Sequence, residues 1–288
     1  MRKVKVVTDS TCDLSSEMIA AYDLSVVPLS VRFGEEIYLD GVDFDNKKLF
    51  QLVEEKKCLP QTAAPTPDDF RRVFQGLLAK DHDVLCVCLS SHLSATVQSA
   101  FVAAGECPPG RVEVIDGLNL SSATGILALM AADLAEQGLS LAEMAPVIRS
   151  RVPDLRTMFV VDTLEYLHKG GRCSSLENLL ASVLKIHPLL TLEGGQIIVT
   201  EKIRGSINKS IDRLHQRLME DREQVQLDYL SVTGAACWDL VGDLVDRIKR
   251  DLPVKKVMAN EAGCVISSHC GPGTIGILYL ANQQKRIA

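Results

Sequence analysis

The run Asp83-Val84-Leu85-Cys86-Val87-Cys88-Leu89 decides the fold class. After Asp83 both odd and even positions are apolar, so neither face of a strand built from it can meet water. Such runs belong to parallel sheets covered by helices on both sides. The run ends in Ser90-Ser91-His92-Leu93-Ser94, and Ser94 opens a helical stretch to about Ala104. The same rhythm holds on either side. Upstream, Val4 to Val7 reads as a strand closed by Thr8-Asp9-Ser10-Thr11, followed by a helix from Leu14 to Tyr22 with Asp13 or Ser15 at its N-cap. Val26 to Phe33 is extended, and Asp45 opens a helix through about Lys56. Thr66-Pro67-Asp68-Asp69 is a helix start, with a capping hydroxyl, a first-turn proline and acids facing the positive dipole end. Downstream, Val112 to Ile115 is a strand closed by Asp116-Gly117, and a helix spans about Ser121 to Gln137. Alternating strands and helices predict a mostly parallel sheet.

Pro146 and Pro153 interrupt the next helical stretch and place a domain boundary near 155. Two domains, 1–155 and 156–288, suit a chain of 288 residues at about 150 per domain. The second half reads as α+β with a mainly antiparallel sheet. Strands are expected at 158–161, 196–202, 226–232, 255–259 and 274–280, with helices at 175–184, 206–222 and 236–250. His168-Lys169-Gly170-Gly171-Arg172 reads as a loop.

With 31 basic and 37 acidic residues the formal charge is −6, which disfavours a broad grip on nucleic acid. Aromatic residues at 5% leave few platforms for stacking bases or sugars. The nine cysteines have no C-x-x-C spacing, and a reducing cytoplasm with buried thiols is the expectation, without zinc. The apolar stretch after Met1-Arg2-Lys3 stops at Thr8, too soon for a signal peptide, and Ile126 to Ala132 falls far short of a membrane span.

Three parallel strands thus end in polar clusters: Asp9 and Ser10 in the first, Ser90 to Ser94 in the second, Asp116 to Asn119 in the third. Open α/β sheets bind ligands at these carboxyl ends, although the same residue types also serve as helix caps. Ser94 stands out because free backbone N–H groups and the helix dipole at a helix start favour a carboxylate or phosphate. Thr62, in Gln61-Thr62-Ala63-Ala64-Pro65, is a second hydroxyl donor or a turn residue. Arg172 is a docking cation or a solvated charge, and His269 precedes the glycine-rich turn Cys270-Gly271-Pro272-Gly273. No G-x-S-x-G, H-E-x-x-H, G-x-G-x-x-G or Walker A motif is present. A Ser94–His269–Asp9 triad for a hydrolase or acyltransferase can be written on paper only. A module for another anionic small molecule is the remaining alternative.

Five segments in order resemble the signatures of the DegV family of fatty-acid-binding proteins. They are Thr8-Asp9-Ser10-Thr11-Cys12-Asp13-Leu14, Gln61-Thr62-Ala63-Ala64-Pro65, Ser90-Ser91-His92-Leu93-Ser94-Ala95-Thr96-Val97-Gln98-Ser99-Ala100, Leu164-Glu165-Tyr166-Leu167-His168-Lys169-Gly170-Gly171-Arg172 and His269-Cys270-Gly271-Pro272-Gly273. The resemblance implies a two-domain α/β carrier, not itself an enzyme, that encloses one long-chain fatty acid such as palmitate, stearate or oleate in an apolar tunnel. It implies further that a separate ATP-dependent fatty acid kinase subunit phosphorylates the bound carboxylate for phospholipid synthesis, with transient contact with a membrane surface. It puts carboxylate-binding groups on Thr62, Ser94 and His269, tunnel-mouth or partner docking on Arg172, and a lesser role on the strand-end residues Asp9, Ser10 and Asn119. Ala95 stands where the family commonly has glycine, Cys173 where an aliphatic residue is usual, and Asp116-Gly117-Leu118 departs from Asp-Ser.

Overall fold

The computed structural model describes residues 2–173, 186–254 and 257–282. The first sheet is fully parallel, in the order β2-β1-β6-β7, from β1 (Val4–Asp9), β2 (Ser25–Val27), β6 (Asp83–Cys88) and β7 (Val112–Asp116). Its central strand β6 is covered on both faces. Cys86 and Cys88 face α3 (Pro67–Leu78) and α4 (Thr96–Gly105), while Leu85 and Val87 face α5 (Ser122–Glu136) and α6 (Leu141–Arg151). Alternate residues of the strand therefore enter two separate cores, as a continuous apolar run requires.

The second sheet has six strands in the order β10-β9-β8-β13-β11-β12: β8 (Leu155–Val160), β9 (Ile186–Glu193), β10 (Gln196–Arg204), β11 (Val225–Gly234), β12 (Met258–Glu261) and β13 (Ile275–Ala281). All neighbours are antiparallel except β11 and β12. One face is covered by α8 (Ile207–Glu220) and α9 (Trp238–Asp251), whose buried Leu214, Leu218, Leu244 and Ile248 form an apolar stripe. The other face lends Leu278 and Leu280 to the core around α5. That helix lies between the sheets, which explains why its residues 122–129 are all buried.

Several elements differ from the sequence reading. The extended run 26–33 divides at Pro28-Leu29: its first part is β2, and its second is β3 (Ser30–Phe33) of a small antiparallel sheet, β4-β3-β5, with β4 (Glu36–Leu39) and β5 (Gln61–Ala63). Helix α6 runs through Pro146, because that residue is on the exposed face, where water can take up the released carbonyl. Strand β9 carries Pro188 opposite Lys202 and was not anticipated. Two short helices carry no sequence signal, α7 (Glu165–Gly170), whose last three residues fall in the expected loop 168–172, and α10 (Cys264–Cys270), each under two turns and too brief to show a period. The helix expected at 175–184 and residues 255–256 of the expected strand lie outside the described residues.

Candidate functional site

Helix α1 (Ser16–Ala21) is capped by Ser15, not Asp13, and α4 starts at Thr96, two residues later than expected. The amides of Leu93 and Ser94 bond to the Ser90 carbonyl, so a turn intervenes between strand and helix. Ser94 Oγ then lies 2.9 Å from Thr96 Oγ1 and accepts the Thr96 amide at 3.3 Å. Ala95 has φ −76°, a conformation open to any residue, so replacing the common glycine introduces no backbone strain.

Thr62 sits on β5, opposite Val31, and its Oγ1 is 2.7 Å from His269 Nε2. His269 is in the last turn of α10, where burial first and then the Arg172 charge push its pKa down to about 4. The ring is therefore neutral near pH 7 and carries one N–H. Among the described residues its Nδ1 has no hydrogen-bond partner. Gly170 allows α7 to approach this ring: a Cβ there would lie 2.5 Å from Nδ1. Gly171 closes α7 in the left-handed conformation at φ +67°. Exposed Arg172 then bridges two segments of the rim, donating to Gly170 O at 2.6 Å and to Leu93 O at 3.4 Å.

Thr62, Ser94, Arg172 and His269 line one narrow cavity whose remaining wall is apolar apart from Cys270: Leu29, Leu89, Leu93, Leu120, Leu167, Ile197, Val265 and Ile266 are among its residues. The wall draws on both sheets and on the small one. Burial pushes the Cys270 thiol up to about 12, so it is uncharged. A second, smaller cavity shares Leu120, Ile266 and Cys270 with the first and continues past Phe159, Gly276 and Leu278 of the second sheet. Its Ser121, Thr157, Thr233 and Thr274 hydroxyls are all occupied by protein partners. The apolar lining residues were not singled out in the sequence, because a tunnel wall and a packed core use the same side chains.

The strand-end residues Asp9, Ser10 and Asn119 stand apart from this cavity. Asp9 is fully buried and accepts Thr11 N, Thr11 Oγ1 and Leu89 N at 3.0, 2.5 and 2.9 Å. Desolvation raises its pKa. Ser10 Oγ accepts Leu29 N, and Asn119 Oδ1 accepts Leu120 N and the Thr157 hydroxyl. Their polar atoms brace the loops. The paper triad does not assemble either, since Ser94 bonds to Thr96 and His269 to Thr62. Cys12 is buried, and desolvation, assisted by Asp9, Asp13 and Asp40, raises its pKa, which leaves it a poor nucleophile. Among the described residues no group of three or more His, Cys, Asp or Glu could hold a metal, and no helix is long and apolar enough to cross a membrane.

A parallel α/β sheet joined to a mixed sheet, with an apolar cavity between them and polar groups at one rim, defines a class of small-molecule binding proteins. Residues 3–282 match the family model described as the uncharacterised DegV family, and the chain belongs to that family. A protein from Thermotoga maritima named as a fatty acid-binding protein is 30% identical over 296 residues, covering 99% of this chain and 100% of its own. A DegV family protein from Thermus thermophilus, described by its fatty acid binding, has a structure that matches with a TM-score of 0.88 at 33% identity, covering 97% of this chain and 99% of its own. A stearic acid-binding protein from Eubacterium ventriosum matches at TM-score 0.86 and 26% identity, with 98% of each chain covered.

Proposed function

We propose that this protein is a non-catalytic carrier of one long-chain fatty acid, such as palmitate, stearate or oleate. The observation that carries the reading is the convergence of Thr62, Ser94 and His269 at the rim of an otherwise apolar cavity, with Arg172 beside them. The acyl chain occupies the first cavity and extends past Leu120 and Cys270 into the second. A buried carboxylate needs donors, or its desolvation cost cancels the gain from the tail. With His269 Nε2 carrying the ring proton and donating to Thr62 Oγ1, the threonine hydroxyl is free to donate to the acid, and Ser94 supplies a second hydroxyl. Arg172 adds a positive charge at the exposed edge, where it screens the head group without enclosing it.

Burying a tail of about 14 methylenes contributes roughly 11 kcal/mol at ~0.8 each. Lost rotational freedom and chain ordering offset several kcal/mol, which leaves the tail alone with an affinity of roughly micromolar order or weaker, so the head-group donors matter. Because the head group sits at the rim, it stays reachable. This suits presentation of the carboxylate to a separate ATP-dependent fatty acid kinase subunit that makes the acyl phosphate, in the cytoplasm, with transient contact at a membrane surface during loading. The relatives described as fatty-acid-binding support the ligand class. Organic extraction of the purified protein followed by mass spectrometry tests the reading. A near-stoichiometric long-chain acid, such as palmitate, stearate or oleate, is expected. Absence of any fatty acid, together with no uptake of added oleate or palmitate, refutes it.

A further inference from the structure

We propose that Asp13 and Asp40 are positioning residues: their carboxylates seat the first turn of α10 and thereby fix His269 and one wall of the cavity. Both acids belong to the chain before α5, and both are buried, at 5% and 2% exposure. Asp13 Oδ1 accepts Gly263 N at 2.8 Å while its Oδ2 accepts the Ser121 hydroxyl. Asp40 Oδ1 accepts Cys264 N at 2.8 Å. Gly263 is shaped to this cradle, since a Cβ there would lie 3.1 Å from Asp13 and 3.2 Å from both Asp40 oxygens. Asn46 completes the contact by donating to Ala262 O at 2.6 Å.

Among the described residues neither acid has an ion-pair partner, so N–H and O–H donors alone hold two carboxyl groups out of water, with Asp40 Oδ2 left without a donor, and burial raises the pKa of both. That arrangement is costly and indicates a demand on position. A seven-residue helix cannot hold its own place, because it closes too few internal hydrogen bonds. Its location is set by anchors. At the C-terminal end these are the His269–Thr62 bond and the Thr274 hydroxyl on Cys270 O. At the N-terminal end they are Asp13 and Asp40. Between the anchors Val265, Ile266, His269 and Cys270 form the cavity wall.

The inference concerns the same site as the proposed carrier function, so the experiment uses one readout that needs no ligand. The His269 ring titration is followed by NMR in the ligand-free protein, and cis-parinarate affinity is measured in parallel. Asp40→Ala is expected to raise the His269 midpoint by about one pH unit, from about 4 toward its ordinary value, and to weaken parinarate roughly tenfold. Asp40, raised to about 6 by burial, is already uncharged where the ring titrates, so its removal changes no charge there and a rise reports the ring's loss of its buried seat. Asp40→Asn, which keeps an acceptor for Cys264 N, should restore most of both values. Leu214→Ala, in the core under α8, should lower stability while leaving both unchanged. If Asp40→Ala does not fold, Gly263→Ala, which crowds both carboxylates, must move the midpoint in the same direction. An unchanged midpoint and affinity in a folded Asp40→Ala or Gly263→Ala protein overturns the proposal, as does an equal change in Leu214→Ala. If the wild type takes up no parinarate, the carrier function fails while the ring titration still decides this inference.

Discussion

The ends of β1 and β6 look alike in the sequence: each is an apolar strand running into serine, threonine or aspartate at the carboxyl edge of one parallel sheet. In the folded protein they serve opposite purposes. At the end of β1 the polar atoms are spent inside the protein, with Asp9 on Thr11 and Leu89, Ser10 on Leu29, and Asp13 on Gly263 and Ser121. At the end of β6 Ser90 Oγ donates to Gly195 O, but among the described residues the Ser94 hydroxyl bonds only locally, to Thr96, and borders the cavity. Residue type at a strand end therefore does not mark a ligand group. What separates the two is whether the polar atom also faces the cavity.

Substitutions should break this contrast in opposite ways. The largest effect is expected at the spent end. Asp9→Ala leaves three buried donors unsatisfied and should cost about 4 kcal/mol in urea unfolding. A loss under about 1 kcal/mol would show that the bracket is dispensable. At the open end, Thr62→Val combined with Ser94→Ala should weaken long-chain acid binding about 100-fold, because hydrogen bonds to a charged group contribute ~1.5–3 kcal/mol each. The fold should stay intact, with a loss of about 1–3 kcal/mol because Thr62→Val leaves the buried His269 Nε2 without its partner. Wild-type affinity in a calorimetric titration would remove these two hydroxyls from the site.

The two regions also titrate in opposite senses. His269 is held at about 4 in the fold, below its ordinary 6.5, so the unfolded chain binds the extra proton between these values. Its contribution to stability is complete above that window and is lost as pH falls through it. Asp40 is raised from 3.8 to about 6 by burial, so its contribution is complete below the window and is lost as pH rises through it. The stability of His269→Gln relative to wild type should therefore increase on acidification below pH 6.5, by up to about 1.4 kcal/mol per pH unit. Asp40→Asn should show the reverse trend. Chemical denaturation at several pH values checks both, and parallel curves would contradict the assigned burial. The smallest effect belongs to Ser10→Ala, at about 1 kcal/mol of stability with acid affinity unchanged.

Most of the architecture was legible because strong local signals agreed with it. Asp83 to Leu89 could only be a doubly covered strand, and Thr66-Pro67-Asp68-Asp69 does form a capping box with proline in the first turn. The small sheet around Thr62 and helix α10 were not legible. Each is stabilised by partners distant in the chain, Leu29 and Val31 packing with Cys264 and Val265 in one cluster, so little in the local sequence marks them. The meeting of Thr62 with His269 spans 207 residues and emerges only from the packing of the two halves. Asp13, read as a helix cap, instead reaches 250 residues along the chain to Gly263.

The central claim is that a carboxylate rests among Thr62, Ser94 and His269. Carbon NMR of the protein loaded with palmitate labelled at the carboxyl carbon addresses it most directly. The account predicts one slowly exchanging carboxyl resonance, displaced from that of free palmitate and moved further by Ser94→Ala and by Thr62→Val. A carboxyl signal that neither substitution shifts would place the head group elsewhere and contradict the account.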